Sequence, residues 1–256
     1  AAGWLLPPRD RGRYGDSLTA PSTLSANILF WRQEGYFDSA AALKPMLHVW
    51  SLAVEEQFYL VYPLLLAGLY RAWPRRAPAV LAVLGLASLV ACVWATTTAP
   101  RLAFYLMPPR AWELGLGASL ALGAAPTLRG RAARELAAAL GVALIAAAIV
   151  GFSSRPAFPG VAALVPCLGA ALVIPAHADP AAPPTLIARG LALAPLGYLG
   201  AISYSLYLWH WPLLVMTRYL VIAPGPAALA AVGAATLALA SLSWRFVERP
   251  LRRPSP

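Results

Sequence analysis

The sequence is poor in charge, and above all in acidic residues. Only 12% of its 256 residues are charged, with 10 Asp and Glu against 20 Lys and Arg. This low charge, together with 60% hydrophobic residues and a mean hydropathy of +0.65, excludes an ordinary soluble domain. Apolar stretches of about 20 residues recur along the whole chain, so one signal peptide cannot account for them. The sequence therefore predicts an integral membrane protein.

Cysteine and histidine are scarce as well. Cys92 and Cys167 lie in apolar runs without the spacing of a zinc site or a disulfide framework, so we expect no metal. No GxSxG elbow, Walker motif or dinucleotide fingerprint is present. His48 and His177 lie near the ends of predicted spans, where we expect them at the membrane interface. The net charge of +10 comes mainly from arginines between apolar stretches, which indicates membrane topology rather than nucleic-acid binding.

Seven mostly apolar runs bounded by Arg or Pro predict an all-α, polytopic transmembrane helical bundle. They span Trp50–Tyr70, Ala79–Thr98, Ala111–Leu128, Leu136–Phe152, Pro156–Pro175, Leu199–Thr217 and Pro226–Trp244.

Arginines concentrate after the first, third, fifth and seventh of these runs. By the positive-inside rule those connections are cytoplasmic, so residue 1 is expected in the periplasm and the C-terminus in the cytoplasm. We expect three regions: a periplasmic loop over 1–47 with one short interfacial helix within Ser17–Trp31, a membrane domain over 48–250, and a tail or linker start over 251–256.

Polar residues within the predicted spans are the candidate functional residues, because charge inside a bilayer is unfavourable by roughly 2.5 to 3.5 kcal/mol. Ser51, Glu55, Tyr59 and Tyr62 fall on one helical stripe, which should face the bundle interior. We expect Glu55 to meet a cationic or hydroxyl partner there and Glu56 to stay near the headgroups. Alternatively, both glutamates lie at headgroup level and only orient the helix.

Two further segments carry candidates. Arg110 and Glu113 are three residues apart, which suits either a structural ion pair or an arginine that contacts an anionic or carbonyl-bearing substrate. Ser203, Tyr207 and His210 share a helix face. His210 is a candidate for proton relay or for a buried hydrogen-bonding role.

Five blocks of the sequence resemble the membrane acyltransferase-3 family, in the branch of bacterial O-antigen and exopolysaccharide O-acetylases. They occur in the family's order: SANILFWRQEGYFD (Ser25–Asp38), KPMLHVWSLAVEEQFYLVYPLLL (Lys44–Leu66), RAWELGLGASL (Arg110–Leu120), LGAISYSLYLWHWPLL (Leu199–Leu214) and WRFVERPLRR (Trp244–Arg253).

The resemblance implies a ten-helix enzyme of the bacterial inner membrane, in contact with membrane lipid. Such an enzyme transfers an acyl group from cytoplasmic acyl-CoA, commonly acetyl-CoA, to a hydroxyl of a surface glycan. In this branch an eleventh helix often leads to an SGNH-type domain, which could follow downstream. Residue 1 is Ala, and AAGWLL is typical of the end of an apolar helix. We therefore expect a fragment without the three front helices.

The family's catalytic histidine lies on its first helix, eleven positions after an arginine. None of the three histidines here has that arginine, so the resemblance implies a base upstream and little activity for this chain alone. Supporting roles carry over to Glu55, Arg110, Glu113, Tyr204, Tyr207 and His210. Two alternatives stay open: a transporter or flippase with a path through Glu55, Arg110 and His210, and a different acyltransferase class with His210 as base.

Overall fold

The computed structural model describes residues 8–33, 43–124, 128–152, 157–179, 181–221 and 223–252. Within these ranges the chain forms helices and turns but no strand, which confirms the all-α prediction. The helices are α1 Pro8–Thr19, α2 Ala26–Gln33, α3 Trp50–Ala72, α4 Ala77–Thr98, α5 Pro100–Tyr105, α6 Ala111–Ala121, α7 Arg131–Gly151, α8 Leu164–Ala176, α9 Leu186–Leu191, α10 Ala194–Ala201, α11 Ser203–Leu220, α12 Pro226–Ser243 and α13 Arg249–Leu251. Predictions on AAGWLL, on residues 34–38 and 125–127, on Pro156 and on 253–256 lie outside the described residues.

In the described ranges, four helical segments are long and apolar enough to cross a membrane. They are Leu47–Ala72, Ala77–Thr98, Arg131–Gly151 and Pro226–Leu251. They correspond to the first, second, fourth and seventh predicted runs, and the chain is a multi-pass membrane protein. The fifth run forms a shorter apolar helical segment, Val161–Ala176.

The third and sixth predicted runs are shorter or more interrupted than expected. Helix α6 ends at Ala121 because Gly123 adopts φ +83°. The amides of Gly123 and Ala124 then bond back to the carbonyls of Leu120 and Ser119, as in a Schellman motif. The sixth run is divided between α10 and α11, which meet at Ile202.

Contacts divide the chain into two compact units, and the division falls within α3. The first unit contains Ala1–Ala53 and Leu193–Pro256, and the second contains Val54–Ala192. In the first unit the predicted 1–47 loop is more helical than expected, since α1, a 3₁₀ turn at Ala20–Thr23 and α2 follow one another. The location of this segment at the membrane interface stays a prediction.

The second unit contains a close helix crossing, between α7 and α8. Added to Gly141, a Cβ atom would lie 2.6 Å from the Gly169 carbonyl oxygen. Added to Gly169, it would lie 2.7 Å from the Gly141 carbonyl oxygen. In lipid there is no hydrophobic driving force between helices, so their association depends on close packing. Small residues at a crossing allow it because they let the two backbones approach each other.

A buried polar cluster closes the connection after this helix pair. The Arg134 guanidinium donates to the carbonyls of Ala176 at 2.9 Å and Pro183 at 2.8 Å. His177 bonds through Nδ1 to the Val173 carbonyl at 2.8 Å and through Nε2 to the Thr185 hydroxyl at 2.7 Å. Arg134 and His177 therefore join the end of α8 to the loop that follows it. The sequence analysis did not predict this role for either residue.

The glycine crossing gives a stability prediction. Gly141→Ala should force α7 and α8 apart and lower the free energy of unfolding by about 1–3 kcal/mol, the usual cost of overpacking. Thermal unfolding in detergent measures the effect. Gly68→Ala on α3 is the matched control, because its added methyl group meets no atom within 4 Å. Equal stabilities of the two variants would contradict the crossing.

Candidate functional site

In the first unit, helix α11 holds the segment before α3 through a row of hydrogen bonds. Tyr219 donates to the Leu43 carbonyl at 3.1 Å, and Trp211 Nε1 donates to the Lys44 carbonyl at 2.8 Å. Tyr207, one turn before Trp211, bonds to the backbone carbonyl of His48. Positions 207, 211 and 219 recur at four and eight residues, so these donors lie on one face of the helix.

Tyr207 joins two residues of that segment. Because a carbonyl oxygen only accepts, the Tyr207 hydroxyl donates to His48 and accepts from Ser51 Oγ, which lies 2.6 Å away. These contacts connect positions separated by 156 and 159 residues. The 3₁₀ turn Leu47–Val49 therefore has its position set by a helix near the other end of the chain.

Three rings surround this point. The ring centroids of His48 and Tyr207 are 5.3 Å apart, those of His48 and His210 are 5.7 Å apart, and those of Tyr207 and His210 are 5.5 Å apart. We call His48, Ser51, Tyr207 and His210 the histidine–tyrosine cluster. It combines two imidazoles and two hydroxyls, which are groups that can bind and orient a hydroxyl-bearing molecule.

The two imidazoles differ in environment. His210 is exposed, and its Nδ1 lies 2.7 Å from the Tyr207 carbonyl and 3.2 Å from the Leu206 carbonyl. Since carbonyls only accept, Nδ1 carries the proton, and Nε2 of the neutral ring is left as an acceptor.

His48 is 7% exposed, and the Leu208 backbone comes near its ring. Neither ring nitrogen, however, makes a hydrogen bond of acceptable geometry within the described residues. A buried polar group without a hydrogen bond lowers the stability of the fold by about 1–3 kcal/mol. Such groups are rare in folded proteins, so His48 is a candidate for a functional role.

The sequence-predicted residues of α11 are only partly brought together. Tyr207 and His210 lie in the cluster, whereas Tyr204 is 45% exposed and lies outside it. Sequence reasoning missed the contribution of His48, which was expected at the interface. Its partners lie about 160 residues away, and no local pattern could indicate them.

In the second unit, Arg110 and Glu113 form a two-pronged ion pair. Arg110 Nη2 lies 2.7 Å from Glu113 Oε2, and Nε lies 3.2 Å from both carboxylate oxygens. The side chains are 16% and 17% exposed. Arg110 also lies within electrostatic range of Glu55, which is half-buried, whereas Glu56 is exposed. The predicted stripe on α3 does not share one environment, because Tyr59 is 62% exposed.

An apolar cavity of about 390 Å³ lies in the same unit. Helices α3, α4, α6 and α8 line it, with Phe58, Tyr62, Gly85, Trp112 and Leu168 among the lining residues. At the wall of the cavity, Ser88 connects α4 to the start of α6. The Ser88 hydroxyl donates to the Pro108 carbonyl at 2.6 Å and accepts from the Trp112 backbone amide at 3.1 Å. Arg110 immediately precedes α6, one of the lining helices, but neither Arg110 nor Glu113 lines the cavity itself.

Comparison with known families decides what kind of protein this is. The profile of the acyltransferase-3 family, described as an acyltransferase domain, matches residues 17–245. The chain belongs to the acyltransferase-3 family. The match includes the second unit, most of the first unit and the residues of the histidine–tyrosine cluster and of the Arg110–Glu113 pair.

Curated relatives of this acyltransferase-3 chain are bacterial. It is 35% identical over 225 residues to BcsY of Komagataeibacter xylinus, which is named provisionally as a membrane-bound transacylase; the alignment covers 88% of this chain and 56% of BcsY. It is 28% identical over 255 residues to the peptidoglycan O-acetyltransferase OatA of Listeria monocytogenes, covering 93% and 40%. It is 32% identical over 233 residues to the O-acetyltransferase OatA of Staphylococcus aureus, covering 85% and 38%. The chain thus spans about half the length of these relatives or less. No solved structure matches.

Removal of the Tyr207 hydroxyl should weaken the first unit. Tyr207→Phe leaves the His48 carbonyl without this donor and should lower the free energy of unfolding by about 1–3 kcal/mol. Thermal unfolding in detergent measures the loss. Tyr204→Phe removes the same atom from an exposed ring and should have no effect. A Tyr204→Phe variant as unstable as Tyr207→Phe would show that the loss is not specific to the cluster.

The ion pair gives a second prediction. Arg110→Gln leaves Glu113 partly buried and unpaired, and should cost about 1–3 kcal/mol, between the values for exposed and buried pairs. Adding Glu113→Gln should recover part of that stability, because the unpaired charge is gone. Chemical unfolding of the single and double variants measures the recovery. A double variant less stable than Arg110→Gln would contradict the pairing.

Proposed function

We propose that this chain forms part of an integral membrane enzyme that acylates a surface glycan. The enzyme transfers an acetyl group, or another short acyl group, from acyl-CoA to a hydroxyl of a cell-surface polysaccharide such as O-antigen. Family membership supports the reaction class, and the names of the relatives include O-acetyltransferases and a transacylase. The alternation of arginine-rich connections supports a bacterial inner-membrane location with residue 1 in the periplasm and the C-terminus in the cytoplasm.

The observation that carries the proposal is the histidine–tyrosine cluster. An acceptor sugar must present one hydroxyl at a fixed position and lose its proton as the new ester forms. His210 Nε2 is available as an acceptor, and both His48 ring nitrogens lack a partner within the described residues. The exposed His210 ring could hold a sugar hydroxyl, while the buried His48 ring packs against it and Tyr207 fixes the backbone of His48. We assign the cluster to the acceptor side as positioning groups, with the general base supplied by the upstream histidine that the family resemblance implies.

The second unit offers groups suited to the acyl donor. Its cavity of about 390 Å³ falls within the usual size range of ligand pockets and is largely apolar, as an acyl group requires. The Arg110 guanidinium, fixed by Glu113 at the start of the lining helix α6, could polarise a carbonyl oxygen there. The donor itself, acyl-CoA, and the glycan acceptor are parts of the proposal.

The proposal predicts a graded loss of activity from the cluster. In membranes that contain the full-length protein, we expect label transfer from radiolabelled acetyl-CoA to glycan. His48→Gln and His210→Gln should each lower kcat/KM by roughly 10- to 100-fold, less than the up to 10⁴-fold contribution of a general base. Tyr204→Phe is the matched control and should keep full activity.

Separate acceptors distinguish the parts of this proposal. Transfer to peptidoglycan but not to O-antigen-bearing lipid would correct the acceptor and keep the reaction. Complete loss in a folded His210→Gln variant would make His210 the base. An intact full-length protein that moves a solute across vesicles but transfers no label would contradict the proposal.

A further inference from the structure

The C-terminal end of the long helix carries an arginine group that the proposed reaction does not use. Helix α12 continues through a π-helical turn, Trp244–Glu248, into α13, and together they form the span-length segment Pro226–Leu251. Arg245, Arg249 and Arg252 lie at this end. Isolated π-helical turns occur frequently at functional sites, because they re-aim side chains.

The acidic residue among these arginines, Glu248, has two neighbours of its own, although its Oε2 makes no hydrogen bond within the described residues. The Ser205 hydroxyl donates to Glu248 Oε1, and Arg252 Nη2 lies 3.4 Å from Glu248 Oε2. The Glu248 side chain is only 10% exposed. Its carboxylate therefore faces α11 and Arg252, and no ion pair to Arg245 or Arg249 occurs in the described part of the chain.

The two remaining guanidinium groups border one open cavity of about 310 Å³. Its lining consists of Arg245, Phe246, Arg249 and Pro250. The Arg249 guanidinium lies 5.6 Å from the Trp244 ring centroid, and that of Arg245 lies 5.7 Å from the Phe246 centroid. Such aromatic contacts restrict long side chains and leave the donor fork open toward an incoming group.

We propose that Arg245 and Arg249 form a binding site for a phosphate group. Arginine forks match phosphate oxygens in paired, charge-assisted hydrogen bonds, and two of them four residues apart can clamp one group. No ion pair cancels the charge of Arg245 and Arg249 within the described residues. The proposal is independent of the acyl-transfer reaction.

Surrounding side chains favour a lipid headgroup as the source of the phosphate. Phe246 is 66% exposed, Val247 is 52% exposed and Leu251 is 81% exposed, all at the end of a membrane-length helix. Exposed apolar side chains mixed with arginines are typical of a membrane interface, where anionic headgroups lie. A soluble phosphate ester has the same chemistry, so the experiment has an arm for each source.

The test measures binding by the full-length protein in neutral detergent. One arm titrates phosphatidylglycerol against phosphatidylcholine by native mass spectrometry, and the other titrates inorganic pyrophosphate by calorimetry without lipid. Each cation near an anionic surface strengthens binding about fivefold, so Arg245→Gln/Arg249→Gln should weaken phosphatidylglycerol binding roughly 30-fold. Arg245→Lys/Arg249→Lys keeps the charge and should recover part of it.

Arg252→Gln is the matched control. It removes the same charge one turn away, but its guanidinium faces Glu248, so binding should fall less than twofold. If pyrophosphate binding depends on Arg245 and Arg249 while lipid binding does not, the phosphate site is confirmed, and its ligand is a soluble phosphate ester rather than a lipid. If neither ligand responds to the double variant, or Arg252→Gln weakens binding as much, the proposal is wrong.

Discussion

The site depends on the hydroxyl of the half-buried Tyr207 side chain. In a membrane chain, backbone polar groups outside regular helices need partners within the protein, because lipid supplies none. In the 3₁₀ turn before α3, the His48 carbonyl meets this requirement by accepting a hydrogen bond from the Tyr207 hydroxyl. The same hydroxyl is hydrogen-bonded to Ser51. Trp211 and Tyr219 satisfy the Lys44 and Leu43 carbonyls in the same way. The imidazoles are close together because the backbone beneath them is anchored.

Elsewhere in the chain, charged side chains are likewise engaged in hydrogen bonds and ion pairs within the protein. Arg134 donates to two loop carbonyls and Arg110 pairs with Glu113, so both guanidinium groups have partners within the protein. Glu248 is likewise held by Ser205 and Arg252. Counting arginines therefore gives a prediction of topology but overestimates the cations available to ligands. Arg245 and Arg249 differ from these residues because neither forms an ion pair within the described residues.

Sequence reasoning predicted what depends on local pattern. Composition and periodicity gave the all-α membrane class, and the spans of α3, α4, α7 and α12 follow from apolar length alone. The sequence analysis missed the early end of α6, because it counted only the length of the apolar run. The signal was Gly123, since a glycine in the left-handed conformation often ends a helix. Tyr207 and His210 were found because charged and polar residues within apolar runs stand out. His48 and the Gly141–Gly169 crossing depend on contacts between distant segments, which one sequence cannot supply.

The central claim is that Ser51 and Tyr207 interact directly and so fix the turn that carries His48. A double-mutant cycle on the free energy of unfolding in detergent tests it, with Ser51→Ala and Tyr207→Phe combined. The account predicts a coupling of about 0.5–3 kcal/mol for this pair and none for Ser51→Ala with Tyr204→Phe. Strict additivity in the Ser51–Tyr207 cycle would contradict it.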